Sequence, residues 1–154
     1  MSRMRGIFVR LKTKSESGAG TDDHIYVGVV GSSGGREFPL DVRKFDDFES
    51  GTDVKYWFGT VWDGTVLVGA KKPYRSEPGD RNDPNWFRTE LHGVESVYIR
   101  KQGDRSTEGD DAYKLDEVEV TLYGASPDRR IFSTANDLWF GNEYGHQAWL
   151  TEER

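Results

Sequence analysis

Two segments of the sequence combine carboxylate side chains with glycine. Residues 18–23 read Gly-Ala-Gly-Thr-Asp-Asp, and residues 46–53 read Asp-Asp-Phe-Glu-Ser-Gly-Thr-Asp. Ca2+ binds about six to eight hard oxygen atoms, which carboxylates and exposed backbone carbonyls supply. The two segments therefore contain the donors of a calcium site, if the fold brings them together. Acidic loops without a metal are common on protein surfaces, so composition alone leaves both interpretations open.

Residue types needed for catalysis are sparse. The chain has no cysteine, which excludes a thiolate nucleophile, a disulfide framework and a cysteine-based zinc site. Its three histidines have no nucleophile and orienting group at a useful spacing. Glu117 and Glu119 would lie roughly 7 Å apart on one strand face, as in glycosidase carboxylate pairs, but their alternation with valines also describes an ordinary solvent face. The sequence predicts a protein that is not an enzyme.

Length and charge exclude other classes. A chain of 154 residues normally forms one domain. Its net charge of −6 argues against nucleic acid as a partner, because phosphate binding depends on clustered Lys and Arg. No segment approaches the roughly 18 apolar residues of a membrane span, and residues 1–12 lack the unbroken apolar run of a signal peptide. We expect a soluble protein without a transmembrane segment, in a compartment that the sequence leaves unassigned.

Alternating apolar residues indicate the elements that must position the acidic segments. A period of two residues is typical of antiparallel strands with one buried face, and it recurs at residues 7–11, 25–29, 54–58, 97–99 and 118–122. Glycine makes up 18 of the 154 residues, well above the average of about 7%, as expected for a turn-rich chain. The sequence predicts an all-β fold, an eight-stranded antiparallel β-sandwich. The first acidic segment would connect its first two strands, and the second would connect its third and fourth.

Two segments depart from this regular spacing. Residues 71–85 hold three of the five prolines and few large apolar side chains, which is typical of a long loop. A hairpin strand is predicted just before this loop, at residues 65–70. The tail, residues 141–154, contains Tyr144, Trp149 and Leu150, which would either pack on the sandwich or dock another chain.

One motif of the chain is specific: the turn Gly18-Ala-Gly-Thr-Asp22 precedes an alternating strand that ends at Gly31. Weaker motifs follow in order, and they are Phe38-Pro-Leu-Asp41, Asp46-Asp-Phe-Glu49, Leu91-His-Gly-Val94, Tyr113-Lys-Leu-Asp116 and Arg130-Ile-Phe132. Together they resemble the PLAT domain family, named for polycystin, lipoxygenase and alpha-toxin. The resemblance covers about residues 5–140 as a sandwich domain and leaves 141–154 as a C-terminal tail.

This resemblance implies a sandwich that binds a lipid surface or a partner protein, often with calcium in its end loops. Carried over by position, the calcium ligands would be the backbone of Gly20 and the carboxylates of Asp22, Asp46, Asp47 and Glu49. Two features depart from the family pattern. One is the insertion loop after the fourth strand, at about 60–85, and the other is Tyr113, which stands where the family usually has a tryptophan at the start of the seventh strand.

Aromatic residues near the insertion are the predicted contact with a membrane or partner. The family uses loop tryptophans as membrane anchors, since an aromatic body with a polar N–H suits the membrane interface. We select Trp86, Phe87 and Trp62. A domain of charge −6 would be repelled by an anionic membrane unless calcium neutralised its loops.

The sequence thus predicts a non-enzymatic binding module that attaches to a lipid surface or a partner protein in a calcium-dependent manner. Two alternatives stay open. One is a stand-alone structural or interaction sandwich that assembles through the insertion and the tail. The other is a carbohydrate-binding sandwich that uses exposed aromatic residues with Glu117 and Glu119.

Overall fold

The computed structural model describes residues 2–32, 34–40, 48–63, 66–69, 83–103, 111–134 and 137–153, and for 60–63, 66–69 and Trp86 it describes the backbone. Within this part of the chain there are eleven strands: β1 (Gly6–Thr13), β2 (Ile25–Gly31), β3 (Gly34–Pro39), β4 (Asp53–Asp63), β5 (Val66–Gly69), β6 (Val94–Lys101), β7 (Tyr113–Tyr123), β8 (Arg129–Thr134), β9 (Leu138–Phe140), β10 (Gln147–Trp149) and β11 (Thr151–Glu152). Two short 3-10 helices, Pro84–Trp86 and Leu91–Gly93, precede β6. In the described ranges no helix has the length and apolar character needed to cross a membrane.

The strands form two antiparallel sheets that pack as a sandwich. The larger sheet has the order β11-β8-β7-β1-β4-β5, with β9 also paired to β7, and the smaller sheet has the order β10-β6-β2-β3. The predicted all-β antiparallel sandwich is confirmed. The predicted number of eight strands is wrong, because β9, β10 and β11 have only two or three residues each. Strands that short carry no visible alternation.

Alternate residues of the central strands build the core. Ile7, Val9 and Leu11 of β1 are buried, as the alternation predicts. In the larger sheet Val9 lies between Tyr56 of β4 and Val120 of β7, and both of these side chains are buried as well. Since neighbouring strands place the same face inward, the two sheets bury one continuous apolar layer between them.

The sandwich has two ends that matter for function. At one end, which we call the acidic end, β1 stops at Thr13 and β4 and β7 begin. Backbone hydrogen bonds tie the loops there, from Thr13 N to Thr52 O (2.9 Å) and from Lys14 N to Lys114 O (3.0 Å). β1 has eight residues, so the opposite end, the far end, lies roughly 25 Å away at about 3.3 Å per residue.

The C-terminal segment completes both sheets. Residues 141–145 leave the larger sheet at the acidic end, after which β10 pairs with β6, with Gln147 opposite Arg100. The chain then turns inward at the buried Leu150, and β11 pairs with β8, with Thr151 opposite Ser133. The segment therefore adds an edge strand to each sheet, and Arg130 fixes its end through an ion pair with Glu152 (2.5 Å).

Gly59 marks a close backbone contact at the far end. Its φ is +68°, and a Cβ there would lie 2.3 Å from the carbonyl oxygen of Arg5 and 2.8 Å from Cδ of Pro84. We expect Gly59→Ala to lower the free energy of unfolding by about 2 kcal/mol, from backbone strain and this clash together. Urea unfolding measures the change. Gly34→Ala is the control, because Gly34 also has a positive φ but no atom within 4 Å of its Cβ position, so an equal loss in both variants would contradict the clash.

Candidate functional site

A cavity of about 230 Å3 opens at the acidic end, lined by Gly18, Gly20, Thr21, Asp22, Glu49, Ser50 and Asp111. Three separate segments meet there: the β1–β2 loop, the residues that precede β4, and the residue two positions before β7. All the side-chain donors in this lining are oxygen atoms. Hard oxygen donors suit Ca2+ better than they suit zinc or copper.

Gly20 permits the first two segments to approach each other. A Cβ at this position would lie 2.7 Å from the carbonyl oxygen of Phe48 and 3.0 Å from the backbone nitrogen of Ser50. The next residue closes the contact, since Thr21 N donates to Phe48 O at 3.0 Å. A residue with a side chain in place of Gly20 would push Glu49 away from the turn.

Asp111 joins the third segment to the same turn. Its Oδ2 accepts a hydrogen bond from Asp22 N at 2.7 Å, and its carbonyl oxygen accepts one from Thr21 Oγ1 at 2.7 Å. Asp111 is absent from the ligands predicted from the sequence. The signal that could have identified it is position, because an aspartate just before β7 must lie at the end where β7 pairs with the last residues of β1.

Of the predicted calcium ligands, Gly20, Asp22 and Glu49 line one cavity, whereas Asp46 and Asp47 lie outside the described residues. Asp22 and Glu49 are exposed and Asp111 is half-buried. Among the side chains that the structure describes, no three acidic or histidine groups converge closely enough to hold a metal ion. The described lining therefore contains hard oxygen donors from three segments, without a complete metal-binding cluster among the described residues.

Two aromatic residues support the segment that carries Glu49. Phe48 is buried and contacts Tyr113 edge-on, with ring centroids 6.1 Å apart. Tyr113 opens β7 and is fully buried, and its hydroxyl shares a 2.8 Å hydrogen bond with Thr13 Oγ1. Burial raises the pKa of Tyr113 far above its ordinary value. Tyr113 therefore belongs to the core, and Phe48 anchors the acidic run against it.

A buried cation lies at the same end. Lys101, the last residue of β6, has no exposed side-chain surface, and its Nζ contacts Asp23 Oδ2 at 2.6 Å. The Nζ also donates to the carbonyl oxygen of Gln102 at 2.9 Å. Asp23 is therefore committed to this ion pair and holds the C-terminal part of the turn, while its neighbour Asp22 lines the cavity.

The predicted contact residues lie near the far end. The 3-10 helix that contains Trp86 is held there by Asn85 Nδ2, which donates to Arg5 O at 3.2 Å. Phe87 is half-buried and packs on the core. The backbone at Trp62 belongs to the part of β4 that continues past Gly59, where it pairs with β5. These residues are thus roughly 25 Å from the acidic end, judged from the length of β1 at about 3.3 Å per residue.

One exposed aromatic residue among the described residues of the acidic end is Tyr144, in the turn that follows β9. Its side chain is 55% exposed, and its ring stacks on Trp139 at 5.6 Å between centroids. Lys114, opposite Trp139 in the β7–β9 pair, places its Nζ 5.4 Å from that indole ring. From the sequence, Tyr144 is predicted only as part of the tail and not as part of this surface.

Glu117 and Glu119, the glycosidase alternative, lie on the outer face of the larger sheet. Glu117 pairs with Lys12 at 2.9 Å, and both glutamates border a second cavity of about 140 Å3 together with Arg10. Arg10 itself forms an ion pair with Asp53 at 2.7 Å, and this contact lowers the pKa of Asp53. On this face, Glu117 and Asp53 thus form ion pairs with basic residues of the neighbouring strand β1.

Solved structures with the same fold include two toxins and an oxygenase. The alpha toxin from Clostridium absonum matches with a TM-score of 0.60 and 19% identity over 97% of this chain and 32% of the toxin chain. Clostridium perfringens alpha-toxin from an avian strain matches with 0.61 and 19% over 97% and 32%. Coral 8R-lipoxygenase, described as activated by calcium via a C2-like domain, matches with 0.55 and 17% over 97% and 17%. This chain thus spans about a third of the toxin chains and about a sixth of the lipoxygenase chain.

Family models give a more direct assignment. Among curated protein sequences none matches the chain. The model of the PLAT/LH2 domain matches residues 7–151, which is most of the 154 residues. The resemblance predicted from the Gly-Ala-Gly-Thr-Asp turn and the later motifs is therefore confirmed, and the chain belongs to the PLAT/LH2 domain family.

Proposed function

We propose that this domain is a non-enzymatic module that attaches to a lipid surface through calcium bound at the acidic end. One observation carries the proposal: the glycine turn with Asp22, the Glu49 segment and Asp111 open into a single cavity. Asp22, Glu49 and Asp111 would hold the ion with the backbone of Gly20, and Asp46 and Asp47 are proposed as further ligands. Calcium would supply positive charge where the domain is acidic.

The charge of the domain makes such an ion useful. A protein of net charge −6 is repelled by anionic lipids at distances within the Debye length, about 8 Å at physiological ionic strength. A calcium ion held by carboxylates with open coordination positions can accept phosphate oxygens of lipid headgroups as its remaining ligands. Calcium binding would then convert repulsion into attachment.

Tyr144 is the proposed membrane contact beside this site. Its exposed ring carries a polar hydroxyl, and such an aromatic group favours the interfacial region of a bilayer. Trp62, Trp86 and Phe87 remain a separate proposal, as a contact with a partner protein near the far end. The coral lipoxygenase is described as calcium-activated via a C2-like domain, which makes calcium the first cation to test.

Vesicle sedimentation tests the proposal. The domain is mixed with vesicles of phosphatidylcholine alone or with added phosphatidylserine, in millimolar calcium, in millimolar magnesium or in EDTA. We expect it to pellet with the phosphatidylserine vesicles in calcium only. Failure to pellet in calcium would contradict attachment to lipid. If calorimetry then still detected calcium binding, the partner would be a protein, whereas absent calcium heat would contradict the metal assignment as well.

A further inference from the structure

The outer face of the smaller sheet carries a second set of residues, and none of them lines the cavity at the acidic end. We propose that this face binds a neutral oligosaccharide, with the Trp149 indole stacking on a pyranose ring and the Glu37–Arg100 pair hydrogen-bonding its hydroxyl groups. We call it the Tyr98 face; its members are Tyr26, Glu37, Tyr98, Arg100 and Trp149. The proposal does not depend on calcium or on lipid attachment.

Strand register places these side chains together. Trp149 of β10 lies opposite Tyr98 of β6, which lies opposite Gly28 of β2, and Gly28 lies opposite Glu37 of β3. One row therefore crosses all four strands of the sheet. Arg100 and Tyr26 are opposite each other in the next outward-facing row, because residues two apart on a strand point to the same side.

Tyr98 forms the floor of the face. A Cβ on Gly28 would lie 2.0 Å from Cζ of Tyr98, so the ring lies flat over the glycine and reaches across β2. Its hydroxyl donates to Glu37 Oε2 at 3.0 Å. Any side chain at position 28 would clash with the Tyr98 ring in this orientation. The ring is held by its backbone attachment on β6 and by the hydrogen bond of its hydroxyl to Glu37 on β3.

Trp149 forms a wall beside this floor. Its ring is inclined at 76° to the Tyr98 ring, with centroids 5.3 Å apart, and the residue remains 59% exposed. Its neighbours Ala148 and Leu150 supply the contacts of this segment with the core. The exposed indole is therefore not needed for packing, but the edge contact with Tyr98 holds it in one orientation.

The polar part of the face is built from one ion pair. Arg100 donates from Nε to Glu37 Oε2 at 2.6 Å and from Nη2 to Oε1 at 2.9 Å, and its guanidinium lies 4.4 Å above the Tyr26 ring. These hydrogen bonds lower the pKa of Glu37 and raise that of Arg100, so both groups stay charged at neutral pH. An arginine has five N–H donors, and within the described part of the chain the others on Arg100 have no acceptor.

These features together favour a neutral, hydroxyl-rich ligand. Because the charges of Glu37 and Arg100 cancel, the face offers no net attraction to an anion or a cation. A pyranose ring with equatorial hydroxyls presents axial C–H groups to an aromatic surface, while its neighbouring hydroxyls match the paired donors and acceptors of arginine and carboxylate. Because the aromatic surface and the polar pair are already held in place, binding of one pyranose ring requires little ordering of side chains.

The test uses cellohexaose and mannohexaose as probes, with the intact domain in EDTA. We expect tryptophan fluorescence and calorimetry to detect binding of at least one of them, with a dissociation constant of about 1 mM. Trp149→Ala should weaken that binding by about tenfold or more. Tyr144→Ala is the matched control, since Tyr144 is exposed to a similar degree at the acidic end, and it should bind like the wild type.

Several results would overturn the proposal. They are the absence of binding to both probes, equal binding by Trp149→Ala and the wild type, and an equal loss in Tyr144→Ala. Thermal unfolding of Trp149→Ala should match the wild type, which excludes misfolding as the cause of a loss. Sedimentation velocity provides a further check, because a wild-type dimer that Trp149→Ala dissociates, without glycan binding, would make this face a contact between copies. Vesicle attachment in calcium should persist in Trp149→Ala, so the two functions fail independently.

Discussion

The double variant Glu49→Gln, Asp111→Asn is expected to bind calcium about a hundredfold more weakly than the wild-type domain, a loss of about 2.7 kcal/mol. Both residues line the cavity at the acidic end, and calcium affinity depends strongly on the number of charged ligands. The change leaves the fold intact, since an asparagine oxygen can still accept the hydrogen bond that Asp22 N donates to Asp111 Oδ2. Isothermal titration with calcium chloride measures the effect.

A control separates a ligand effect from general electrostatics. Glu95 is exposed at the start of β6, at the far end, and Asp128 lies in the turn between β7 and β8 at the same end. The variant Glu95→Gln, Asp128→Asn therefore removes the same charge there. This second double variant should bind calcium like the wild type. Equal weakening in both would mean that net charge alone controls affinity, and unchanged affinity in the first variant would contradict the site. Thermal unfolding gives a parallel readout, because an ion that binds only the folded state stabilises it by RT ln(1 + c/Kd), where c is the free ion concentration, so a weaker site gives a smaller rise in Tm at the same calcium concentration.

Asp23→Asn is expected to lower the free energy of unfolding by about 3 kcal/mol. Lys101 has no exposed side-chain surface and contacts Asp23 at 2.6 Å, and removal of one partner from a buried ion pair costs about 3–5 kcal/mol. The estimate is at the low end because Gln102 O also accepts from the ammonium. Urea unfolding followed by circular dichroism measures the loss.

The adjacent residue is the control for this prediction. Asp22 is exposed, so Asp22→Asn should leave stability nearly unchanged, although it should weaken calcium binding. Adding Lys101→Met to Asp23→Asn should recover part of the lost stability, since an apolar side chain of similar length removes the buried charge. An Asp23→Asn variant as stable as the wild type would show that the ion pair does not hold the turn.

Alternation predicted the long strands because each of them buries one face. Ile7, Val9 and Leu11 are buried in a strand that lies between β4 and β7. The sequence of β1 predicts which of its residues are buried, but it does not predict which strands lie beside it. The short strands β9, β10 and β11 are defined by their hydrogen-bonded partner strands, because they are too short to show an alternating apolar pattern. Thr151, for example, becomes a strand residue through its pairing with Ser133.

The sequence predicted those residues of the candidate site that belong to a local motif. The glycine turn and the Asp-Asp-Phe-Glu run include Gly20, Asp22 and Glu49, all of which the fold brings to one cavity. Asp111 joins them only because β7 pairs with β1, where Lys12 lies opposite Glu117. The strand topology decides at which end of the sandwich a loop emerges. Composition alone therefore could not show that Trp86 and the acidic loops lie at opposite ends.

The sheet crossing at Leu150 has a consequence for biosynthesis. β6 and β8 obtain their last neighbours from β10 and β11, which are translated after every other strand described. Until residue 152 has left the ribosome, the nascent chain leaves unpaired the positions of β6 and β8 that β10 and β11 later cover, and unpaired strand backbone invites association with other chains. We therefore expect association of the nascent domain with other chains to be greatest between translation of β8 and of β11.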